Sequence, residues 1–580
     1  MSISSEILRI QGNVSDAYTA ANAKGATMPV SQNSDNLAST IATIPTGTTP
    51  TGTKQITANG VYDVSTYASA DVQVPTTAPT YYIEKSKDAN NKLVGGSTVI
   101  NFSGLSDIGD YGLYYAYYNN QNITGSIDLS NFTTITGNYA LGSAFHNCGY
   151  ITGIDLSNLE EVTGRSALQD CFYQCTGITG NIDLGKLTTV KGASAFSTIF
   201  QYCSGITGVN LSKLKGFVNT SSAFQNAFSN CTSLTGIIDL SSVDVIYNSA
   251  QCFANAFFND KNITKIDLSG LFVISESNYA LQNLNNNSSN NTALELVDLS
   301  NLLSIYNSNS ALQSMYYKSS AVITATFPKL AKIYINNTVF NSTFGYCTNL
   351  TTVSFPNLCY SSDLNSTQFN NMLSGCTGVT VHFPAELQSL MQNWASVTAG
   401  FGGTNTTVLF DLPSITTLDL TNITEIKYDS VFQNCFSKLP NITSVDFSNL
   451  TIISGDNTCS NMFLDNTGTT SIDLSSLITI KGSNTCNNMF KNNTSLTTLN
   501  LSSLTTIDSY NACINMLSGC TSLTSLSFPA LKTVSGSNVF SNMLSGVTGC
   551  TVHFPSNLSS YNFNCGGTNT TVLYDLPATA

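Results

Sequence analysis

From residue 441 the chain writes one pattern three times: NITSVDFSNLTIISGDNTCSNMFLDNTG, TTSIDLSSLITIKGSNTCNNMFKNNT and SLTTLNLSSLTTIDSYNACINMLSGCT. Asp446, Asp473, Asn500 and Ser527 hold one position in successive copies, each 27 residues after the last. A unit of that length is one supersecondary turn, too small to bury its own apolar face. Copies must therefore stack in series, and the chain is a solenoid.

The same position extends backwards through Asp128, Asp155, Asp183, Asn210, Asp239, Asp267, Asp298, Thr326, Ser354 and His382. It resumes at Asp419 and ends at His553. Sixteen coils result, spaced 26 to 31 residues apart except for the 37 between His382 and Asp419. That long interval contains VHFPAELQSLMQNWASVTAGFGGTNTTVLFDLP, and a shortened relative, VHFPSNLSSYNFNCGGTNTTVLYDLP, closes the chain. Ten repeats followed by six, each ending in the same block, read as an internal duplication. Whether residues 385–413 bend the stack or continue it is open at this stage.

Each coil carries two periodicities. Ile154-Asp155-Leu156-Ser157 alternates, with the apolar residues inward and the polar ones outward, as a half-buried strand does. About ten residues before the next strand lies an apolar pair at i, i+4, such as Leu141/Phe145, Phe196/Phe200, Phe432/Phe436 and Cys486/Phe490. That spacing predicts one face of a two-turn helix. Such a helix is marginal alone and would persist only by packing. An α/β solenoid follows, with parallel strands on one face and short helices on the other. Sixteen strands at about 4.8 Å would make one sheet roughly 75 Å long.

Units such as SGCTSLTSLSFPALKTVSGSNVFSNMLSGC carry a Cys-Thr-x-Leu turn, a strand ending in Pro, a Val/Ile-Gly turn and an apolar helix. This resembles the BspA-like subclass of leucine-rich repeats, over about 450 residues. The subclass occurs in bacterial adhesins, protozoan surface proteins and phage proteins, so the resemblance implies a fold more than a function. A second resemblance lies ahead of the repeats. KQITANGVYDVSTYASADVQVP, two alternating runs around Asn59-Gly60 that read as a small β module, is similar to a segment of tail and baseplate proteins of phages of gut Firmicutes. DAYTAANAKGATMP followed by DNLASTIATI is similar to the helical segment that often precedes it there.

The organisation expected is a helical head over 1–45, a linker and β module over 46–80, and an N-terminal cap over 81–126. A first repeat block spans 127–384 and a joint 385–413. A second block spans 414–555, and a C-terminal cap 556–580.

Composition narrows the function. Charged residues are 9% of the chain, against about 25% in an average soluble protein, so Asn, Ser and Thr must make the surface. A net charge of −13 with 21 Lys+Arg gives no basic stripe for phosphates, and nucleic acid is not an expected partner. No apolar run reaches the length of a membrane span. The start, MSISSEILRIQGNVSDAYTA, has no basic n-region or apolar h-region, so export by a signal peptide is not expected.

No catalytic constellation emerges, and neither a metal site nor a cofactor is expected. Cys148, Cys175, Cys203, Cys231, Cys347, Cys376 and Cys520 recur at a position where other coils have Asn466, Asn493 or Asp260. A site that accepts all three residue types is a buried turn that bonds to backbone, not a disulfide or zinc framework. Cys171 and Cys175 have no His nearby to complete a zinc set. The three His, 146, 382 and 553, are scattered, and the last two are read as cap polarity. Gly180-Asn-Ile-Asp-Leu-Gly185-Lys186 mimics a phosphate loop, but Leu187 stands where a Mg²⁺-binding hydroxyl belongs.

The outward carboxylates Asp128, Asp155, Asp183, Asp239, Asp267, Asp298, Asp419, Asp446 and Asp473 form a column. They either close the strand-exit turns of their own coils or make a ligand-facing strip. Together with the N-terminal resemblance, the expected role is a phage tail-fibre or baseplate appendage of receptor-binding type, made in the host cytoplasm. It would dock to other virion proteins through residues 1–80 and present the solenoid to a host glycan or protein, possible also as a homo-oligomer. The alternatives are a BspA-type cell-surface adhesin and a structural spacer without a receptor.

Overall fold

The computed structural model describes residues 53–56, 69–72, 102, 107–287, 289–334, 338–391 and 400–579. They fall in two units, Met1–Pro79 and Thr80–Ala580. In the first, strands Thr53–Ile56 and Ser69–Val72 pair in parallel, with Thr53 opposite Ser69. Parallel pairing requires a crossover connection, so these strands are not the arms of a hairpin turning at Asn59-Gly60. The expected helical head over 1–45 lies outside the described residues.

In the second unit all sixteen repeat positions fall in strands, from Gly125–Asp128 to Thr551–Pro555. The strands are parallel and in register: Asp128 faces Asp155, Asp239 faces Asp267, which faces Asp298, and Asp446 faces Asp473. A second, shorter strand in most coils builds a side sheet. Its inward residues, among them Ile135, Val162, Ile246, Ile274, Ile453 and Ile507, are buried. The parallel-strand solenoid expected from the sequence is therefore what the chain forms.

The short helices are not. The segment holding the i, i+4 pair is a ribbon of turns in which every fourth residue has a left-handed backbone: Tyr139, Ser143 and Asn147 at φ 53°, 52° and 54°, and Asn484, Asn488 and Asn492 at 53°, 51° and 61°. A left-handed residue breaks the i→i−4 ladder of an α-helix. Instead the N–H groups alternate. Ala144 N–H donates to Leu141 O within its turn at 3.0 Å, while Phe145 N–H donates to Cys171 O of the next coil at 2.9 Å. His146 N–H returns to Ser143 O at 3.3 Å, and Asn147 N–H reaches Tyr173 O at 2.7 Å. A conformation that repeats every four residues puts i and i+4 on one face as a helix does, so apolar spacing could not separate the two. The abundant Asn was the distinguishing signal, because it tolerates the left-handed region better than most residues.

The inward aromatics stack from coil to coil. Tyr117, Phe145, Phe172 and Phe200 follow at ring-centroid distances of 5.2, 5.3 and 5.6 Å, and Phe436, Phe463 and Phe490 at 5.7 and 5.6 Å. Burying each such side chain contributes about 1.5–3 kcal/mol. Beside them runs the Cys column, buried and unpaired as disulfides. Each thiol donates to the carbonyl of an aromatic residue in the preceding coil: Cys175 to Phe145 O at 3.0 Å, Cys203 to Phe172 O at 3.0 Å, Cys520 to Phe490 O at 3.1 Å. Asn466 Nδ2 does the same to Phe436 O at 2.9 Å. Asp260 occupies this donor column at 0% exposure, its two carboxyl oxygens without a hydrogen-bond partner. Burial pushes its carboxyl well above the usual range, and the neutral acid is the form that can donate.

Both blocks close in the same way. Strand Thr380–Pro384 pairs with Thr407–Leu412, and Thr551–Pro555 with Thr571–Leu576, each with a register shift before the proline. After the first closure a new front sheet begins at Thr417–Asp419. The sixteen strands thus do not form one continuous sheet. The second block's first coil instead packs on the side sheet of the first. Val245, Val273, Leu303, Ala331 and Cys359, which point away from their own core, belong to the apolar cluster of the second block. Phe272 stacks on Phe432 at 5.7 Å, and Ser304 Oγ donates to Cys435 O at 3.0 Å.

A lysine is buried in this joint. Lys332, 1% exposed, donates to the Ser437 carbonyl and, at 3.1 Å, to Ser437 Oγ. Its ammonium lies 3.7 Å from Asp363, which also meets Lys438 at 3.5 Å. Burial lowers the Lys332 pKa to about 8, against the opposing pull of Asp363.

Both buried groups make stability depend on pH. Between the unfolded carboxyl value near 4 and its raised folded value, native Asp260 keeps a proton that the unfolded chain releases, so stability falls as pH rises. Asp260→Asn should raise the melting temperature at pH 7, with the gain vanishing towards pH 4; a pH-independent difference would refute a neutral Asp260. Lys332 acts with the opposite slope. From about pH 8 to pH 10 the unfolded chain binds the extra proton, so wild type should gain stability relative to Lys332→Met across that window in paired thermal melts.

Candidate recognition surfaces

All nine carboxylates of the Asp column sit at the exits of their strands, and each Oδ1 accepts the N–H two residues on. The distances are 2.9 Å at Asp128, 3.0 Å at Asp155, 2.9 Å at Asp183, 3.0 Å at Asp239 and 3.0 Å at Asp267. They are 3.1 Å at Asp298, 3.0 Å at Asp419, and 2.9 Å at both Asp446 and Asp473. Asn210 and Asn500 make the same bond at 3.3 and 3.2 Å, which is why Asn can replace Asp there. A hydroxyl two residues on adds a second bond of 2.6 Å at Asp128, Asp155, Asp239 and Asp419. This is an Asx turn, in which the side chain stands in for a backbone carbonyl.

The electrostatics follow from these bonds. The Ser130 hydroxyl holds Asp128 below the usual carboxylate range, and the Thr421 hydroxyl does so for Asp419. Burial pushes Asp267 and Asp298 up, but hydrogen bonds from Ser269, Ser300 and Lys265 outweigh it and hold both low. Lys265 Nζ bridges the second oxygens of these two neighbours at 3.0 and 2.9 Å. Here the repulsion between adjacent carboxylates is cancelled within the sheet.

Threonine rows flank the column in the second block. The hydroxyls of Thr443, Thr470 and Thr497 each donate at 3.1 Å to a carbonyl of the preceding coil. Rows that look purely solvent-facing in sequence therefore also tie coil to coil. Exposed apolar residues interrupt the polar face: Ile237 and Leu296 on either side of Lys265 in the register, with Ile323 nearby in the next coil, and Leu409 and Leu573 opposite His382 and His553 in the closing strands. Neither these residues nor the exposed tyrosines of the first coils are marked by the repeat pattern.

The remaining sequence candidates are accounted for locally. His382 Nδ1 meets Asp411 at 2.9 Å and His553 Nδ1 meets Asp575 at 2.9 Å, each across the two closing strands of a block. His146 is stacked between Tyr118 and Tyr173 at 4.4 and 4.6 Å. Cys171 and Cys175 are buried, and burial pushes both thiols up, away from the thiolate a nucleophile needs. In the phosphate-loop mimic the Gly185 N–H is consumed by Asp183, and Lys186 Nζ donates to Asn158 Oδ1 at 2.7 Å. Among the described residues no group of three or more His, Cys, Asp or Glu is placed to hold a metal ion, and no helix is long and apolar enough to cross a membrane.

Asp155→Ala removes two hydrogen bonds from one turn and leaves the stack intact. It should lower stability by about 0.5–1.5 kcal/mol per lost bond, read as a reduced denaturation midpoint. An unchanged midpoint would mean the turn does not need the carboxylate.

Known proteins were compared with the chain. Its residues 113–255 and 429–566 match the BspA type leucine rich repeat region, in six copies. No curated protein matches. Among solved structures, a leucine-rich repeat protein from Bacteroides ovatus aligns at 16% identity and TM-score 0.28, covering 84% of this chain and 94% of that one. An internalin from Listeria monocytogenes aligns at 14% identity and TM-score 0.18, covering 67% and 85%. A leucine-rich repeat protein from Leptospira interrogans aligns at 12% identity and TM-score 0.14, covering 70% and 86%. The parallel-strand stack has a leucine-rich-repeat fold, and its residues 113–255 and 429–566 match the BspA type.

Proposed function

We propose that the chain is a recognition protein rather than an enzyme, and that its solenoid binds a glycan or protein on a cell surface. The observation that carries this reading is the front face itself. Coil after coil presents Thr, Ser, Asn and Asp in register, so the same polar group recurs at about the interstrand spacing of 4.8 Å. Such a face suits many weak, equivalent contacts whose strength grows with copy number. The Asp column is the candidate contact row: one oxygen of each carboxylate closes its turn, and at Asp128, Asp155, Asp183, Asp239, Asp446 and Asp473 the second accepts no hydrogen bond among the described residues.

Two placements fit. The resemblance of residues 16–29 and 54–75 to phage tail and baseplate segments supports a virion appendage docked through residues 1–80. The BspA-type repeats support a bacterial surface adhesin equally well. Immunogold labelling of the encoding cells and of the phage particles they release decides between them: label on tails supports the appendage, label on the envelope alone the adhesin. For either placement, full-length protein clustered on beads should bind target cells at least tenfold better than the free chain. Failure of both forms to bind any cell would leave a structural spacer.

A further inference from the structure

The turn ribbon of the first coils is rich in tyrosine. Elsewhere its left-handed positions hold mostly Asn, Ser, Gln or Thr, with isolated tyrosines at Tyr279 and Tyr346; in three of the first four coils Tyr111, Tyr115, Tyr139 and Tyr202 take such positions, at φ 57°, 56°, 53° and 66°. A bulky side chain is strained there, and the corresponding residues Asn226 and Asn230 show that the fold does not require it. These rings do not fill the core. Tyr117 does that, stacked on Phe145, whereas Tyr111, Tyr115 and Tyr202 are 41%, 37% and 40% exposed.

The exposed rings are continuous. Tyr111 stacks on Tyr139 at 5.1 Å, and Tyr114 meets Tyr111 and Tyr115 edge-on at 5.5 and 4.4 Å. From Tyr115 the contacts run through Tyr118 and His146 to Tyr173 and Tyr202. Amides lie among them, Asn147 donating to Asn119 at 2.9 Å. Among the described residues charge at the margin is sparse. Asp110 already accepts the Asn138 N–H at 2.6 Å, Asp170 accepts the Thr198 hydroxyl, and Arg165, whose carbonyl accepts the Tyr139 N–H at 2.8 Å, is a neighbouring cation.

Deepening the recognition reading above and resting on it, we infer that this tyrosine ridge is a binding surface for a neutral glycan chain. Rigid rings tipped with hydroxyls offer apolar area against sugar C–H faces and hydrogen bonds to sugar hydroxyls, with little side-chain entropy to lose. Ring centroids recur at close to the length of one sugar unit in an extended chain. Among the described residues no basic cluster adjoins the ridge, which in a chain of net charge −13 disfavours sialylated, sulfated or phosphorylated polymers.

The test uses the full-length chain and the double variant Tyr115→Asn/Tyr202→Asn, which installs the residue that the left-handed positions of other coils carry. On an array of neutral, sialylated and sulfated oligosaccharides, wild type should bind neutral members, and the variant at least tenfold more weakly. The variant's melting temperature should be equal or higher, because strain is relieved. Equal binding by the variant, binding only to anionic glycans, no binding to the array, or a fall in melting temperature alongside the binding loss would each overturn the proposal. So would cell binding abolished by protease but not by periodate, which identifies a protein partner. If the variant still binds whole cells, the ridge is wrong and surface recognition stands; if wild type binds no cells, both fall.

Discussion

Every coil of this solenoid completes its hydrogen bonds on its neighbours. In the turn ribbon, alternate N–H groups leave their own turn for the next coil, as Leu141, Phe145 and Phe172 do at 2.7 to 2.9 Å. The front and side strands bond across the same interval. A single coil could satisfy only half of its ribbon amides, and a buried amide without a partner is costly. Stability therefore belongs to pairs of coils rather than to coils, and the ends need covering. Both blocks meet that need by folding a final strand, Thr407–Leu412 or Thr571–Leu576, onto the last rung.

The same dependence explains what the polar residues do. Asn sits where the backbone is left-handed, Asp and its Asn substitutes close the strand exits, Thr hydroxyls reach back one coil, and buried Cys or Asn donates to an aromatic residue's carbonyl. With only 9% charged residues, the chain uses short hydrogen-bonding side chains as backbone prosthetics. Their aliphatic equivalents would leave carbonyls and amides unsatisfied on every rung.

The joint obeys different physics. In most coils the outward positions of the side sheet are polar, as at Thr134, Glu161, Thr189, Thr479 and Thr506. At Val245 and Val273 they turn apolar, in the next two coils Ser304 and Lys332 take the position and bond across the joint, and there the sheet is buried on both faces. The stretch from 256 to 428, outside the family match, contains most of this docking surface. Lys332 then adds a charge whose desolvation is offset by Ser437 and Asp363.

The solenoid, its sixteen strand positions, the strand register and the inward residues were legible in the sequence, because these depend on periodicities that each coil repeats. It also marked the Cys/Asn/Asp position as a bonding turn and the two VHFP blocks as related endings. It did not separate helix from turn ribbon, since both put i and i+4 on one face, although Asn484, Asn488 and Asn492 at intervals of four carried the difference. The use of Val245, Val273 and Leu303 was written in the sequence too, but only as an apolar excess with no address. What those residues cover was decided by tertiary structure, because the partner coil lies more than a hundred residues away and meets them only after the first block has closed.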